Sequence, residues 1–454
     1  MTTTTNQYYL HIIKYYYLYL PLLAILLLGS IYLFQYSHHQ PLIIGPESYY
    51  HLSAYQNRGW AEYFPLGMLV SFIPEKGLIL LPIFLAMSSL LLMIKLTSRF
   101  NIEPETRFLF LLFSVLTPAF LFSASTISSS MLVLFFILFG FVLMTNRNNS
   151  KYLALIPFAV ISFIDLSSAL ILLLLLILYH FTQRTEKDQR LASKFMMIFI
   201  VGLVLLNWLF LNESFMLGPF HTQKITSDWV SDLGGMSGIG FTIILLSIIG
   251  LLGAWRRQEF RWTYALLIIL IPLYVYSTQM ILFVSIVVAF FAAWGYQAIF
   301  CKRWNQKTLK MFTILLVLLS ICFSTVSYVQ RMHLIGPSAD DVSASTWMKD
   351  NIGAEKMIVA LPEEGYYLRH FAQHEPFYEP HQQEKAVLEN TVLNSTYIAT
   401  TFPILEEYNI GAVYVTPDWK EQYPADQGGL LFLLQNERFK MSYSSQGYEV
   451  WEFE

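Results

Sequence analysis

Eleven apolar segments, parted by short polar intervals, occupy 15–34, 77–95, 108–124, 128–145, 152–163, 167–181, 195–211, 239–254, 262–276, 280–299 and 308–328. A segment of about 20 apolar residues covers the roughly 30 Å hydrocarbon layer as a helix. A chain with this pattern cannot fold as an ordinary soluble domain. Only 13% of its residues are charged, against roughly 25% in soluble domains.

The basic residues divide between alternate intervals. Six intervals hold 17 of them: Lys14; Lys95, Arg99 and Arg107; Arg147 and Lys151; Arg184, Lys187, Arg190 and Lys194; Arg256, Arg257 and Arg261; Lys302, Arg303, Lys307 and Lys310. The opposite intervals hold only Arg58, Lys76 and Lys224. Basic residues beside a span stay in the cytoplasm during insertion. The pattern therefore predicts an N-terminus inside and, after an odd number of spans, a C-terminal tail outside. The expected fold is a polytopic helical membrane protein of the plasma membrane, with about eleven spans over residues 1–328 and an extracellular α/β domain over 329–454. The first segment is long enough to stay as an uncleaved helix.

Residues 152–163 number too few to cross alone. They read with 167–181 as a hairpin turning at Asp165; a single helix kinked at Pro157 would invert the charge pattern downstream. Cys301 and Cys322 lie on what reads as nearly one helix, roughly 30 Å apart, and cannot pair. The tail has no cysteine, so a core must hold it. The net charge of −3 and the absence of a basic surface run give no reason to expect a nucleic-acid partner.

Three stretches face outward: loops 37–76 and 212–238, and the tail. In the tail, MIVALP (357–362), GAVYVTP (411–417) and YEVWEF (448–453) read as strands alternating with helical stretches, which predicts a largely parallel sheet. No phosphate-binding glycine loop occurs.

Chemistry concentrates in GPESYYHL, residues 45–52. Pro46 suits a first helical turn, and Glu47 and His51 then share one helix face. That pair has the spacing of two ligands for a divalent cation, or of a carboxylate base beside an imidazole. It also suits a plain helix start with an interfacial histidine. His370 and His374, with His381 beyond, have helical metal-ligand spacing but precede Pro376 and Pro380, which favours a solvated loop. Asp228 and Asp232 stand four apart before a Gly-Gly turn, as cation or acceptor contacts or as a solvated helix start. Asn212 and Asn394 begin external glycosylation sequons; a third match, at Asn148, falls on the inner side.

GPESYYHL resembles the first external loop of membrane glycosyltransferases that use polyprenyl-phosphate sugar donors, where Asp-x-Tyr-Tyr-His is usual. That group includes the oligosaccharyltransferase catalytic subunit and the protein mannosyltransferases. SDWVSDLGGMSGIGFTIILLSIIGLLGAW (227–255) and STWMKDNIGAEKMIVALPEEGYYLRHFAQ (345–373) are similar to archaeal members. So is the final Asn-Ile-x-x-x-Tyr-Val strand with its Phe-x-x-x-Tyr hairpin. The resemblance implies transfer of a sugar or glycan from a polyprenyl-phosphate-linked donor to a protein or lipid acceptor on the external face. It implies Glu47 as the catalytic base, and Tyr49, Tyr50, Arg58, Asp228, Asp232 and Arg369 as substrate contacts. It leaves room for a magnesium or manganese ion on Glu47 and His51, and makes membrane lipids partners. Two departures stand out. PEEGYYLRH (362–370) occupies the place of the Trp-Trp-Asp-Tyr-Gly signature, and SASTISSS (123–130) lacks the acidic ligands of the second external turn. A non-catalytic relative in envelope assembly, or a lipid or solute transporter, are the competing readings. The spans carry neither the inverted repeats nor the ionisable residues a transporter would show.

Overall fold

A computed structural model describes residues 3–57, 66, 70, 73–100, 102–146, 149–182, 187–211, 229–235, 237–255, 261–378, 386–395, 397–422 and 429–454. The chain forms two compact units: Met1–Phe34 with Trp60–His333, and Gln35–Gly59 with Leu334–Glu454. Residues 35–57, which open the stretch between the first two apolar segments, thus fold with the tail.

The main helices in chain order are α1 (Thr3–Ser37), α2 (Pro46–Asn57), α3 (Leu80–Thr97), α4 (Pro104–Leu116), α5 (Pro118–Ser125), α6 (Ser129–Met144) and α7 (Leu155–Ile161). They continue as α8 (Leu166–Thr182), α9 (Lys187–Leu211), α10 (Phe241–Ala254), α11 (Arg261–Tyr276), α12 (Ile281–Cys301) and α13 (Lys307–Arg331). Each of the eleven apolar segments therefore contains helix. Among the described residues, four helices are long and apolar enough to cross a membrane, or five with one bent pair counted as a span. This is a membrane protein. Its apolar residues face outward as readily as inward: Phe312 and Phe323 of α13 are 62% and 76% exposed, as lipid-facing side chains are.

The bent pair is α4–α5, which the sequence read as one span over 108–124. It breaks by 58°. Pro118 has no N–H to donate and pushes Thr117 out of the helical region, to φ −71° and ψ 134°. The Thr117 side chain then accepts from Phe120 N at 3.4 Å and caps α5.

The hairpin at Asp165 is real. One carboxylate oxygen of Asp165 accepts from Ser168 N at 2.6 Å and the other from Ser168 Oγ at 2.8 Å, starting α8. The Phe141 ring packs on both Phe158 (5.5 Å) and Tyr179 (5.8 Å). Those two residues would lie roughly 31 Å apart along one continuous helix, so the chain must reverse between them.

In the second unit, α14 (Ala339–Asn351) precedes β1 (Met357–Val359), and α15 (Ala386–Asn394) and α16 (Ile398–Glu407) precede β2 (Ile410–Val415). β3 (Phe439–Ser445) and β4 (Tyr448–Phe453) close the sheet. The order is β1-β2-β4-β3. β1 and β2 are parallel, but β4 runs antiparallel to both its neighbours. The expected largely parallel sheet is therefore mixed. Gln446 and Gly447 explain it: both have positive φ, 48° and 91°, the backbone of a two-residue hairpin turn that antiparallel strands require. Every residue of the central strand β2 is buried. Val413 and Val415 join Trp419, Phe439 and Phe453 on one face, while Ala412 and Tyr414 join Met348 and Val450 on the other, as a pleat with period two dictates.

A polar network runs through this domain. Ser338 and Asp341 cap α14 reciprocally, with Asp341 N donating to Ser338 Oγ (3.0 Å) and Ser338 N to Asp341 Oδ2 (2.7 Å). Tyr414 Oη donates to Asp341 Oδ1 at 2.6 Å. Glu364 accepts from Thr416 Oγ1 (2.6 Å) and Leu361 N (3.2 Å). Burial nevertheless holds its carboxyl up at about 8, from an ordinary 4.5. A carboxyl raised on folding favours the folded state below pH 4.5, and that contribution is lost as pH rises through about 8. Stability monitored by tryptophan fluorescence should fall across this window by on the order of 3–5 kcal/mol, and Glu364→Gln should flatten the dependence. An unchanged slope in the variant would sink the assignment.

Candidate functional site

Gly45, at φ +83°, turns the chain into α2, and Pro46 opens the helix. Glu47 in the first turn and His51 in the second are both buried, each 7% exposed. The helix repeat puts them on one face, with Glu47 Oε1 3.8 Å from His51 Nε2. The gap is too long for a hydrogen bond.

The opposite side of α2 is anchored within the same unit by residues 365–372. Tyr49 is 1% exposed. Its ring meets Tyr367 edge-on at 5.1 Å, His370 at 5.3 Å and Phe371 at 5.4 Å. Its hydroxyl donates to Ile43 O at 3.1 Å. Tyr50 packs on Tyr366 at 5.1 Å. Aromatic pairs of this geometry add about 0.5–1.5 kcal/mol each beyond their burial. Tyr49, read from sequence as a substrate contact, is here a packing anchor. The clamping segment has its own unusual backbone: a π turn over Leu368–Ala372, ended by Gln373 at φ +57°. Such turns are rare and concentrate at functional sites.

Sequence reasoning singled out Arg369 in this segment and missed Tyr366, Tyr367 and Phe371, which pack on Tyr49 and Tyr50 of α2. The available signal was the second Tyr-Tyr pair, in PEEGYYLRHF, echoing the one in GPESYYHL. Arg369 is buried, 7% exposed. The suggested His370–His374 ligand pair is corrected: His374 is 2% exposed and its ring nitrogens lie 3.2 and 3.3 Å from Lys356 O and Met348 O. It belongs to the core and not to a solvated loop.

In the other unit, Asp232 is spent on structure. Its carboxylate accepts from Phe241 N at 2.6 Å and from Ser324 Oγ at 2.5 Å. It thereby satisfies the first turn of α10 and ties it to α13. Arg331 Nη2 donates to Ser231 O at 2.7 Å and holds the same turn. The serine run at 123–130 is buried and hydrogen-bonded: Ser128 to Ser130 at 2.5 Å, Ser129 to Gln279 Oε1 at 3.0 Å. Arg58, Asp228, His381 and Asn212 lie outside the described residues.

No family model matches the chain, and no curated protein matches it in sequence. Solved structures do. The apo oligosaccharyltransferase of Archaeoglobus fulgidus aligns at TM-score 0.62 and 11% identity, over 97% of this chain and 75% of that one. The oligosaccharyltransferase AglB of Archaeoglobus fulgidus in complex with an inhibitory peptide and a dolichol-phosphate aligns at 0.60 and 12%, over 97% and 74%. ArnT of Cupriavidus metallidurans bound to undecaprenyl phosphate aligns at 0.54 and 10%, over 95% and 97%. The chain has their fold.

One structure of the Archaeoglobus protein is a complex with zinc and sulfate. Among the described residues no group of three His, Cys, Asp or Glu side chains converges. Glu47 and His51 supply two donors, where zinc takes at least three protein ligands.

Proposed function

We propose that this chain transfers a sugar from a polyprenyl-phosphate-linked donor to an acceptor on the external face of the membrane. The observation that carries the reading is Glu47. A buried carboxylate stands on a helix that an aromatic clamp fixes in place, within the fold of proteins solved with dolichol-phosphate and undecaprenyl phosphate.

Glu47 acts as general base. The acceptor O–H bond breaks, and its proton passes to the carboxylate. The oxygen bonds to the anomeric carbon while the carbon–oxygen bond to phosphate breaks, and the polyprenyl phosphate leaves with the electron pair. Positioned proton transfer of this kind typically contributes 10²–10⁴-fold. Cationic groups must meet the leaving phosphate, and Arg58 and Arg369 are the candidates. Asp228 and Tyr50 are candidate contacts for the acceptor and sugar. Incubation of the purified protein with a labelled polyprenyl-phosphate hexose, followed by separation of lipid-linked and transferred sugar, tests the reading. The serine run where acidic ligands would stand favours a second reading, a non-catalytic relative in envelope assembly. That relative would give no transfer.

Orientation belongs to the same proposal. The 17 basic residues of six intervals against three opposite support a reading of eleven crossings with the tail outside. Cys301 is free and exposed at the end of α12. An impermeant thiol reagent on intact cells should leave it unlabelled and should label a cysteine placed at Asn394. The reverse pattern would invert the topology.

A further inference from the structure

Among the described residues both ring nitrogens of His51 are buried and make no hydrogen bond, in a residue only 7% exposed. A buried polar group left unsatisfied costs about 1–3 kcal/mol, so such a group calls for a ligand. Glu47 Oε1 lies 3.8 Å from His51 Nε2. An oxygen about 2.8 Å from each atom would span that gap at roughly a right angle. The gap has the size of one bridging atom.

We infer that Glu47 and His51 together hold one hydroxyl group, and that the acceptor of this enzyme is therefore an alcohol and not an amide. The inference rests on the glycosyl-transfer reading of Glu47. An ionised carboxylate only accepts hydrogen bonds. Facing it, Nε2 is favoured with its proton on, because a lone pair there would point at negative charge. The bridging group must then donate to Glu47 and accept from His51. A hydroxyl does both. An amide nitrogen donates only, since its lone pair is delocalised into the planar peptide-like group. A saccharide or a serine or threonine side chain meets the requirement; an asparagine side-chain nitrogen does not. The same bridge aims the hydroxyl proton at Glu47 and an oxygen lone pair away from it, the arrangement that attack on an anomeric carbon needs.

The full-length protein in lipid nanodiscs is given undecaprenyl-phosphate-linked hexose with a methyl hexoside, a serine/threonine peptide or an Asn-x-Thr peptide. Transfer to a hydroxyl acceptor and none to the asparagine peptide is expected. His51→Ala should raise the acceptor KM tenfold or more with the donor KM unchanged, and His51→Gln, which restores an N–H donor, should recover part of the loss. Transfer to asparagine, or an unchanged acceptor KM in His51→Ala, overturns the inference while the transfer reading stands. Wild-type transfer by Glu47→Gln instead overturns that reading. A high-resolution experimental structure with methyl hexoside gives a measurement independent of turnover. One oxygen within about 3.2 Å of both Glu47 Oε1 and His51 Nε2 is expected. A direct Glu47–His51 hydrogen bond, or a metal ion at about 2.0–2.2 Å from both, overturns the inference.

Discussion

Replacing Glu47 with glutamine lowers the rate of sugar transfer by 10²–10⁴-fold, the usual cost of removing a positioned base. That loss corresponds to roughly 3–5 kcal/mol of transition-state stabilisation. Glutamine keeps the shape and one acceptor oxygen of the side chain, so α2 keeps its seat. The seat is made by Tyr49 and Tyr50 against residues 366–371, which the substitution does not touch. The loss should therefore appear in turnover, with thermal unfolding of the detergent-purified protein little changed. Glu47→Asp should retain part of the activity, because the carboxylate survives on a side chain one methylene shorter. Transfer by Glu47→Gln at the wild-type rate would reduce Glu47 to a helix-start residue. A large fall in unfolding temperature would instead make it a fold residue.

The largest expected loss of stability lies in the membrane unit. α10 and α12 touch backbone to backbone at two glycines. A Cβ on Gly250 would stand 1.9 Å from Phe291 O, and one on Gly295 would stand 1.9 Å from Leu246 O. No side-chain rotation relieves a clash with a carbonyl oxygen, so any larger residue must separate the helices. Small residues serve this purpose in membrane helix pairs, where close backbone approach supplies van der Waals contact that lipid cannot. Overpacking a well-packed core usually costs about 1–3 kcal/mol, and Gly250→Leu should exceed that range. Little monodisperse protein should be recovered, and what is recovered should unfold at a clearly lower temperature. Gly253 supplies the control: three residues along the same helix, nothing stands within 4 Å of its added Cβ, and Gly253→Leu should behave as wild type. Equal behaviour of the two variants would mean that the crossing is not a determinant of the fold.

These two predictions draw on different kinds of information. Glu47 and His51 lie four residues apart behind a proline, and their shared helix face follows from local geometry alone. The eleven helical segments follow in the same way, since a run of apolar residues bounded by charges has few other options in a bilayer. The break before Pro118 was equally local. It went unread because a span was assigned by hydropathy, to which proline contributes little while removing a backbone donor.

What the tertiary structure alone decided involves residues far apart in sequence. Nothing in the chain marks Gly250 as packed and Gly253 as open, because in a bilayer helix the lipid-facing side is as apolar as the buried one. The periodicity that locates a core in a soluble protein therefore carries no contrast here. The clamp on Tyr49 joins residues more than three hundred positions apart, and the strand order β1-β2-β4-β3 depends on how the final hairpin lies against β2. Asp232 shows the same limit from the polar side. Its type and spacing suit a ligand contact, and only the positions of Phe241 N and Ser324 make it a cap. Sequence sets which groups a segment offers; packing sets which of them remain unspent, and His51, with both nitrogens buried and unbonded among the described residues, is identified only by that second count.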